Sequence, residues 1–247
     1  MSEAVRETMT VSERITESIA VKTVFTIHAF GLEIAISDTV VMTWIVMAIL
    51  IALSAAATRR MKMVPGRGQA ALEAFVTFVY DFAEENIHHH GRKYAAFLGT
   101  VFLFLVTANV IPAFTPDGGF GFEPHFTIKP LTRDINVTAA FAAVTIVTVL
   151  VSKIRYKGVG GFFRSFVQPM PFMLPFNIME YAIRPTSLAL RLFGNMLGGY
   201  IIMLLVEAVM PLVLPPVVGL YFDFFDGLLQ AVVFTYLSTV FIAEAIE

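Results

Sequence analysis

The chain has 247 residues, of which 57% are hydrophobic and only 15% are Asp, Glu, Lys or Arg. An ordinary soluble domain carries about 25% charged residues, so this composition excludes a soluble enzyme and reads as an integral membrane protein. The formal net charge of −2 leaves no basic excess for nucleic acid, and with no Cys there is no disulfide, iron–sulfur or thiol chemistry.

In chain order, residues 1–22 carry Glu3, Glu7, Glu13 and Glu17. That does not fit the basic and then apolar pattern of a signal peptide, and the stretch reads as a short surface helix or a disordered tail. Thr39–Thr58 is the first charge-free window, Tyr94–Ile111 the second and Ile135–Ser152 the third. Each has the length needed to cross a hydrocarbon core of about 30 Å at 1.5 Å per residue. Between the first two, Gln69–Ile87 repeats its large apolar residues at helical spacing, but Glu73, Asp81, Glu84 and Glu85 interrupt it. It is too polar to span and is expected at the membrane interface, within bounds of 68–87. His88–His90 follow as a solvated turn rather than a metal site, because adjacent residues on a helix do not face one point. The loop after the second span holds Pro112, Pro116, Pro124 and Pro130 with several glycines, and is expected to cover the outer ends of the spans.

Basic residues set the orientation. Arg59, Arg60, Lys62, Arg67, Arg92 and Lys93 cluster between the first two spans, and Lys153, Arg155, Lys157 and Arg164 follow the third. The positive-inside rule places both groups in the cytoplasm, with the N-terminus and the 112–134 loop outside. From Phe176 to Met210, and again from Val217 to Ile246, the pattern is helical with prolines between. Helices of about 45–50 Å exceed the apolar layer and must tilt or bend. The expected fold is all-α: five transmembrane helices and one interfacial amphipathic helix, with the C-terminus cytoplasmic. Three regions follow: an extracytoplasmic segment 1–37, the first three spans over 38–164, and a tilted hairpin over 165–247.

The long pair carries few ionisable groups. Arg191 precedes a charge-free run, Leu192–Val206, and has no acid three or four positions away. A guanidinium stays charged at any relevant pH and is costly in lipid, so its partner is expected from another helix or another subunit. Gly194, Gly198 and Gly199, with Ala189, thin one side of its helix, either for ordinary packing or for close passage of another helix. Asp223, Asp226 and Gln230 share a face of the last helix and suggest one wall of a wet path, with Glu180, Ser187, Tyr200 and Glu207 as candidates for the other. Glu244 reads either as a terminal charge or as part of that path.

The stretch SLALRLFGNM (187–196) resembles the signature of subunit a of rotary F-type ATP synthases, and Arg184-Pro185, Leu228-Leu-Gln230-Ala-Val-Val-Phe234 and Ala57-Thr-Arg59 also fit. The resemblance covers about residues 28–246. It implies that the essential arginine is Arg191, accompanied by Asn195 and Gln230, and that two tilted helices face a ring of c subunits. It implies as further partners the b-subunit stator stalk, the remainder of the F1Fo complex and membrane lipid, in a bacterial cytoplasmic membrane, with no cofactor. It also implies two offset half-channels with Arg191 between them, carrying protons or, as the second reading, sodium ions. The chain departs from the family at Tyr200, where many relatives carry Glu or His. It departs at Asp223, where many carry His or Glu, and at Asn177, where the usual acid is missing and Glu180 follows one turn later. A secondary transporter using Arg191 as a substrate site is the competing reading, but no paired repeat supports it.

Overall fold

The computed structural model describes residues 23–29, 32–59, 61–88, 90–113, 131–167, 170, 172, 174–210 and 214–246. The expectations for residues 1–22 and for the proline-rich loop up to residue 130 lie outside the described residues.

Two strands, β1 (Thr23–Ala29) and β2 (Leu32–Ser37), form an antiparallel hairpin. The sequence reading did not foresee it, although β-branched Thr23, Val24, Thr26, Ile27, Ile34 and Ile36 favour strands. Ser37 ends β2 and caps α1 (Asp38–Thr58), its hydroxyl accepting from the Val40 amide. Only Thr39, Met42 and Val46 of α1 are buried, one stripe at helical spacing. Much of the rest of α1 is apolar and exposed, including Trp44, Ile51 and Leu53.

Helix α2 (Arg67–Asn86) matches the expected polar helix. Its start is clasped by Gln69, whose side chain accepts from the Lys62 amide at 3.0 Å and donates to the Lys62 carbonyl at 2.9 Å. A tight reversal leads into α3 (Gly91–Ala113). A Cβ on Gly91 would lie 2.1 Å from the Ala83 carbonyl oxygen, so only glycine fits there. His90 in this turn stacks on Tyr156 with ring centroids 4.4 Å apart.

A short 3-10 turn (Leu131–Arg133) opens α4 (Ile135–Val167). This helix continues well beyond the expected end at Ser152. It is broken at Gly158, whose φ of 71° suits glycine, so the basic stretch after the third span is a kinked helical extension. Helix α5 (Leu174–Val209) is the long helix expected from Phe176. The last run is not one regular helix. It comprises α6 (Leu214–Gly219), a π-helical segment (Leu220–Asp226) and α7 (Gly227–Ile246).

Five helical stretches are long and apolar enough to cross a membrane: Asp38–Thr58, Gly91–Pro112, Ile135–Phe162, Leu174–Val209 and Val217–Ile246. Helix α3 is the hub. Its Val101 and Leu105 pack with Leu188 and Leu192 of α5 and Ala231 and Phe234 of α7 in the middle layer. Leu98 joins Ala83, Val149 and Ile242 at one end, and Phe104 and Ala108 join Met42, Val46 and Leu131 at the other. Lipid removes most of the hydrophobic drive between such helices, so close packing and internal hydrogen bonds must hold them. The buried hydroxyls of Thr235, Ser238 and Thr239 follow that rule, each donating at 2.8 Å to the carbonyl four residues earlier.

Candidate functional site

Helix α5 carries two arginines one heptad apart, and the structure treats them differently. Arg184 is clamped. Its Nε donates to Glu180 Oε1 at 3.1 Å, and its Nη1 and Nη2 reach Glu244 of α7 at 2.7 and 3.0 Å. Nη2 also contacts Glu180, and the guanidinium lies over the Phe241 ring at 5.1 Å. Arg191 is exposed and makes no ion pair or hydrogen bond among the described residues.

Around Arg191 the helix surface is open. A Cβ added at Gly194 or Gly198 meets nothing within 4 Å, and Leu190, Ile202 and Leu205 on the same side are exposed. Gly199 is turned the other way: its Cβ would lie 3.0 Å from the Phe222 ring, so it brings α5 against the π segment.

One turn after Arg191, Asn195 Nδ2 donates to Asp226 Oδ1 at 2.9 Å and to Gln230 Oε1 at 3.2 Å. Gln230 is buried, and its Nε2 finds no partner among the described residues. Asn195, Asp226 and Gln230 are thus joined across the seam between α5 and the last helical run, with Arg191 one turn before Asn195 on α5. The family resemblance picked out three of them, and the polar face of the last helix supplied Asp226. Asp223 lies in the same π segment, but the position of its carboxylate is outside what is described. Glu207 is exposed about three turns beyond Asn195 on α5.

Two expected wall residues are placed elsewhere. Glu180 does not line a path with Asp226: it joins Arg184 and Glu244 about 22 Å away along α5, since fifteen residues separate it from Asn195. Antiparallel packing of α5 on α7 pairs the start of one with the end of the other, which also gives Glu244 a role beyond a chain end. Tyr200 leaves the Asp226 cluster because it is five residues past Asn195, about 140° round the helix. Its ring instead lies under the Arg133 guanidinium at 4.2 Å.

Sequence reading missed a buried polar set at the Asp226 end. Asn109 of α3 donates to the Gly227 carbonyl at 3.3 Å and accepts from the Thr132 hydroxyl at 2.6 Å. Thr39 Oγ1 donates to Asp134 Oδ2 at 2.7 Å. An Asn inside an otherwise apolar span was the available signal. At the opposite end, Lys153 Nζ meets the Tyr181 hydroxyl and Tyr94 bonds Ser152 at 2.7 Å.

The arrangement offers an unneutralised cation at mid-helix, a carboxylate group on either side of it along the seam, and an open face beside it. A family described as ATP synthase A chain matches residues 40–243. The chain is 38% identical over 214 residues to ATP synthase subunit a of Moorella thermoacetica, covering 87% of this chain and 93% of the relative. It is 35% identical over 222 residues to a protein described as "ATP synthase subunit a, sodium ion specific" from Propionigenium modestum, covering 88% of this chain and 76% of the relative.

Proposed function

The chain belongs to the ATP synthase subunit a family, and from that premise we propose that Arg191 divides two half-channels whose acids lie at opposite ends of the α5–α7 seam. Membership makes the protein a multi-pass membrane subunit, the non-catalytic stator part that couples ion flow to rotation of the c-ring. The residue roles are our reading. Asp226, with Asn195, Gln230, Asp223 and Glu207, serves the outer half-channel. Glu180, Glu244 and Arg184 serve the cytoplasmic one. The observation that carries this is the unpaired state of Arg191 on a helix whose other arginine is fully bound.

An ion entering from outside passes the Asp226 group and neutralises a carboxylate on a c subunit. A neutral site can turn into lipid, because its desolvation cost is small beside that of a charge. After nearly a full turn the site meets the cytoplasmic half-channel and releases the ion. Arg191 favours the resulting anion and draws it across. The same fixed charge repels cations that would short-circuit the two paths. The driving term is about 2.3 kcal/mol per elementary charge per 100 mV.

The remaining topology follows. The N-terminal segment 1–37 and the Asn109–Thr132 end face outside, α2 lies along the cytoplasmic interface, and the C-terminus is cytoplasmic. At 1.5 Å per residue α5 is about 54 Å long and crosses an apolar layer of about 30 Å at a steep tilt. The c-ring covers the open face of α5, and the b stalk and the rest of the complex complete the assembly in a bacterial cytoplasmic membrane. The proton is the coupling ion in this reading: a single carboxylate that accepts from the Asn195 amide suits proton exchange, whereas hard cations take several oxygen ligands. Sodium is the second reading, favoured by the sodium-specific relative.

Arg191→Ala tests the assignment. It is expected to abolish coupled ATP synthesis while the subunit still assembles. Wild-type ATP-driven pumping by the mutant complex in vesicles would refute the role given to Arg191.

A further inference from the structure

We infer that Asn109 is a positioning residue for the outer inlet: it holds the π turn in the register that brings Asp226 to Asn195. The inference rests on the reading of Asp226 as an inlet acid. A π turn is rare and persists where its surroundings stabilise it. This one is gripped on two sides. On one, Phe222 lies against Gly199 of α5, where a Cβ would be 3.0 Å from the ring. On the other, α3 approaches Gly227, the residue directly after the π segment, so closely that a Cβ there would lie 2.9 Å from that of Asn109.

At this second contact Asn109 is 1% exposed. A side-chain amide buried in an apolar layer is costly unless its polar groups are bonded. Both ends of this amide are used: Nδ2 donates to the Gly227 carbonyl, and Oδ1 accepts from the equally buried Thr132 hydroxyl. An amide committed in this way is a brace and not an ion ligand. The Thr132 turn is itself anchored, since its neighbour Arg133 covers Tyr200 of α5 and Asp134 holds Thr39 of α1. Three helices, α1, α3 and α5, and the 3-10 turn thus fix the backbone beside Asp226, and Asn109 is the side chain that passes the constraint to it.

The consequence is a change in how the inlet takes up the ion, separate from how fast the complex turns. The test uses the purified complex in liposomes. ATP synthesis is followed at fixed membrane potential while the ion concentration on the inlet side is varied. Asn109→Leu keeps a similar volume and removes both bonds. It is expected to raise the half-saturating ion concentration by about tenfold, the scale of one lost buried hydrogen bond, with an unchanged subunit complement. Thr132→Val should shift it in the same direction, and Thr132→Ser should restore it. This pair decides the matter if Asn109→Leu does not assemble. A fall in maximal rate alone, with the half-saturating concentration unmoved in Asn109→Leu or in Thr132→Val, overturns the inference. Asp226→Asn separates the two levels. If it shifts the half-saturating concentration and the Asn109 and Thr132 variants do not, the inlet reading stands and the positioning role falls. If none of the three shifts it, both fall.

Discussion

Two arginines on α5 show how a local partner decides what a charge can do. Arg184 has Glu180 one turn before it and Glu244 across the seam, so its charge is spent. A bidentate guanidinium pair of this kind is among the stronger side-chain interactions. Arg191 has Asn195 one turn on, a neutral amide already committed to Asp226 and Gln230. Among the described residues its charge meets no acid. Glu180→Gln combined with Glu244→Gln should leave Arg184 a second free cation in the cytoplasmic path and slow pumping more than either change alone, as measured by ATP-driven fluorescence quenching in vesicles. Additive, small effects would show that the cluster is only a structural clasp. At this scale the sequence was a good guide to identity and a poor one to neighbours. The absence of an acid within one turn of Arg191 was visible, and so was its isolation. Which acids share an end of the seam was not, because that depends on antiparallel pairing of residues more than thirty positions apart. Glu180 and Tyr200 were both expected opposite Asp226, whereas Glu180 pairs with Arg184, which also holds Glu244, and Tyr200 lies against Arg133.

Among elements, glycine contacts separate internal packing from an external surface. Gly227 has Asn109 directly against it, whereas a Cβ at Gly194 or Gly198 would meet nothing within 4 Å among the described residues. Gly227→Val should force α3 and α7 apart and cost about 1–3 kcal/mol, the usual scale of overpacking, lowering the thermal stability of the complex. Gly198→Leu should leave that stability nearly unchanged and yet block coupled flux, because its bulk meets only the passing partner. Equal loss of stability in both variants would contradict an open rotor face. The spans were legible from charge-free windows of the right length, and α2 from its helical spacing with interspersed acids. The π segment was not, because its residues, LYFDFFD, read as ordinary helix by periodicity. Its geometry comes from contacts with Gly199 and Asn109 on other helices. The β1–β2 hairpin was overlooked for a different reason: its β-branched residues precede the first apolar window and were grouped with the acidic tail.

For the whole molecule, the two ends differ in chemistry. One gathers Asp226, Asn109, Thr132 and the Thr39–Asp134 bond. The other gathers Lys93, Lys153, the Arg184 cluster and the basic extension of α4. The proposed orientation rests on that asymmetry, and since the chain has no Cys, single cysteines can test it without background. In sealed cells a cysteine replacing Lys157 should react only with reagents that enter the cytoplasm, and one replacing Thr26 should react with impermeant reagents outside. The reverse pattern would invert the assignment of inlet and outlet. In the proposed function the helix seam between the ends must not carry one continuous column of water, and its use turns on the guanidinium midway along α5. The direct test is a density map of the assembled, membrane-embedded complex at side-chain resolution. The account predicts the Arg191 guanidinium facing a carboxylate of the adjacent c subunit, free of any acid from its own chain. A permanent salt bridge from Arg191 to one of its own carboxylates, or a side chain pointing away from the ring, would contradict it.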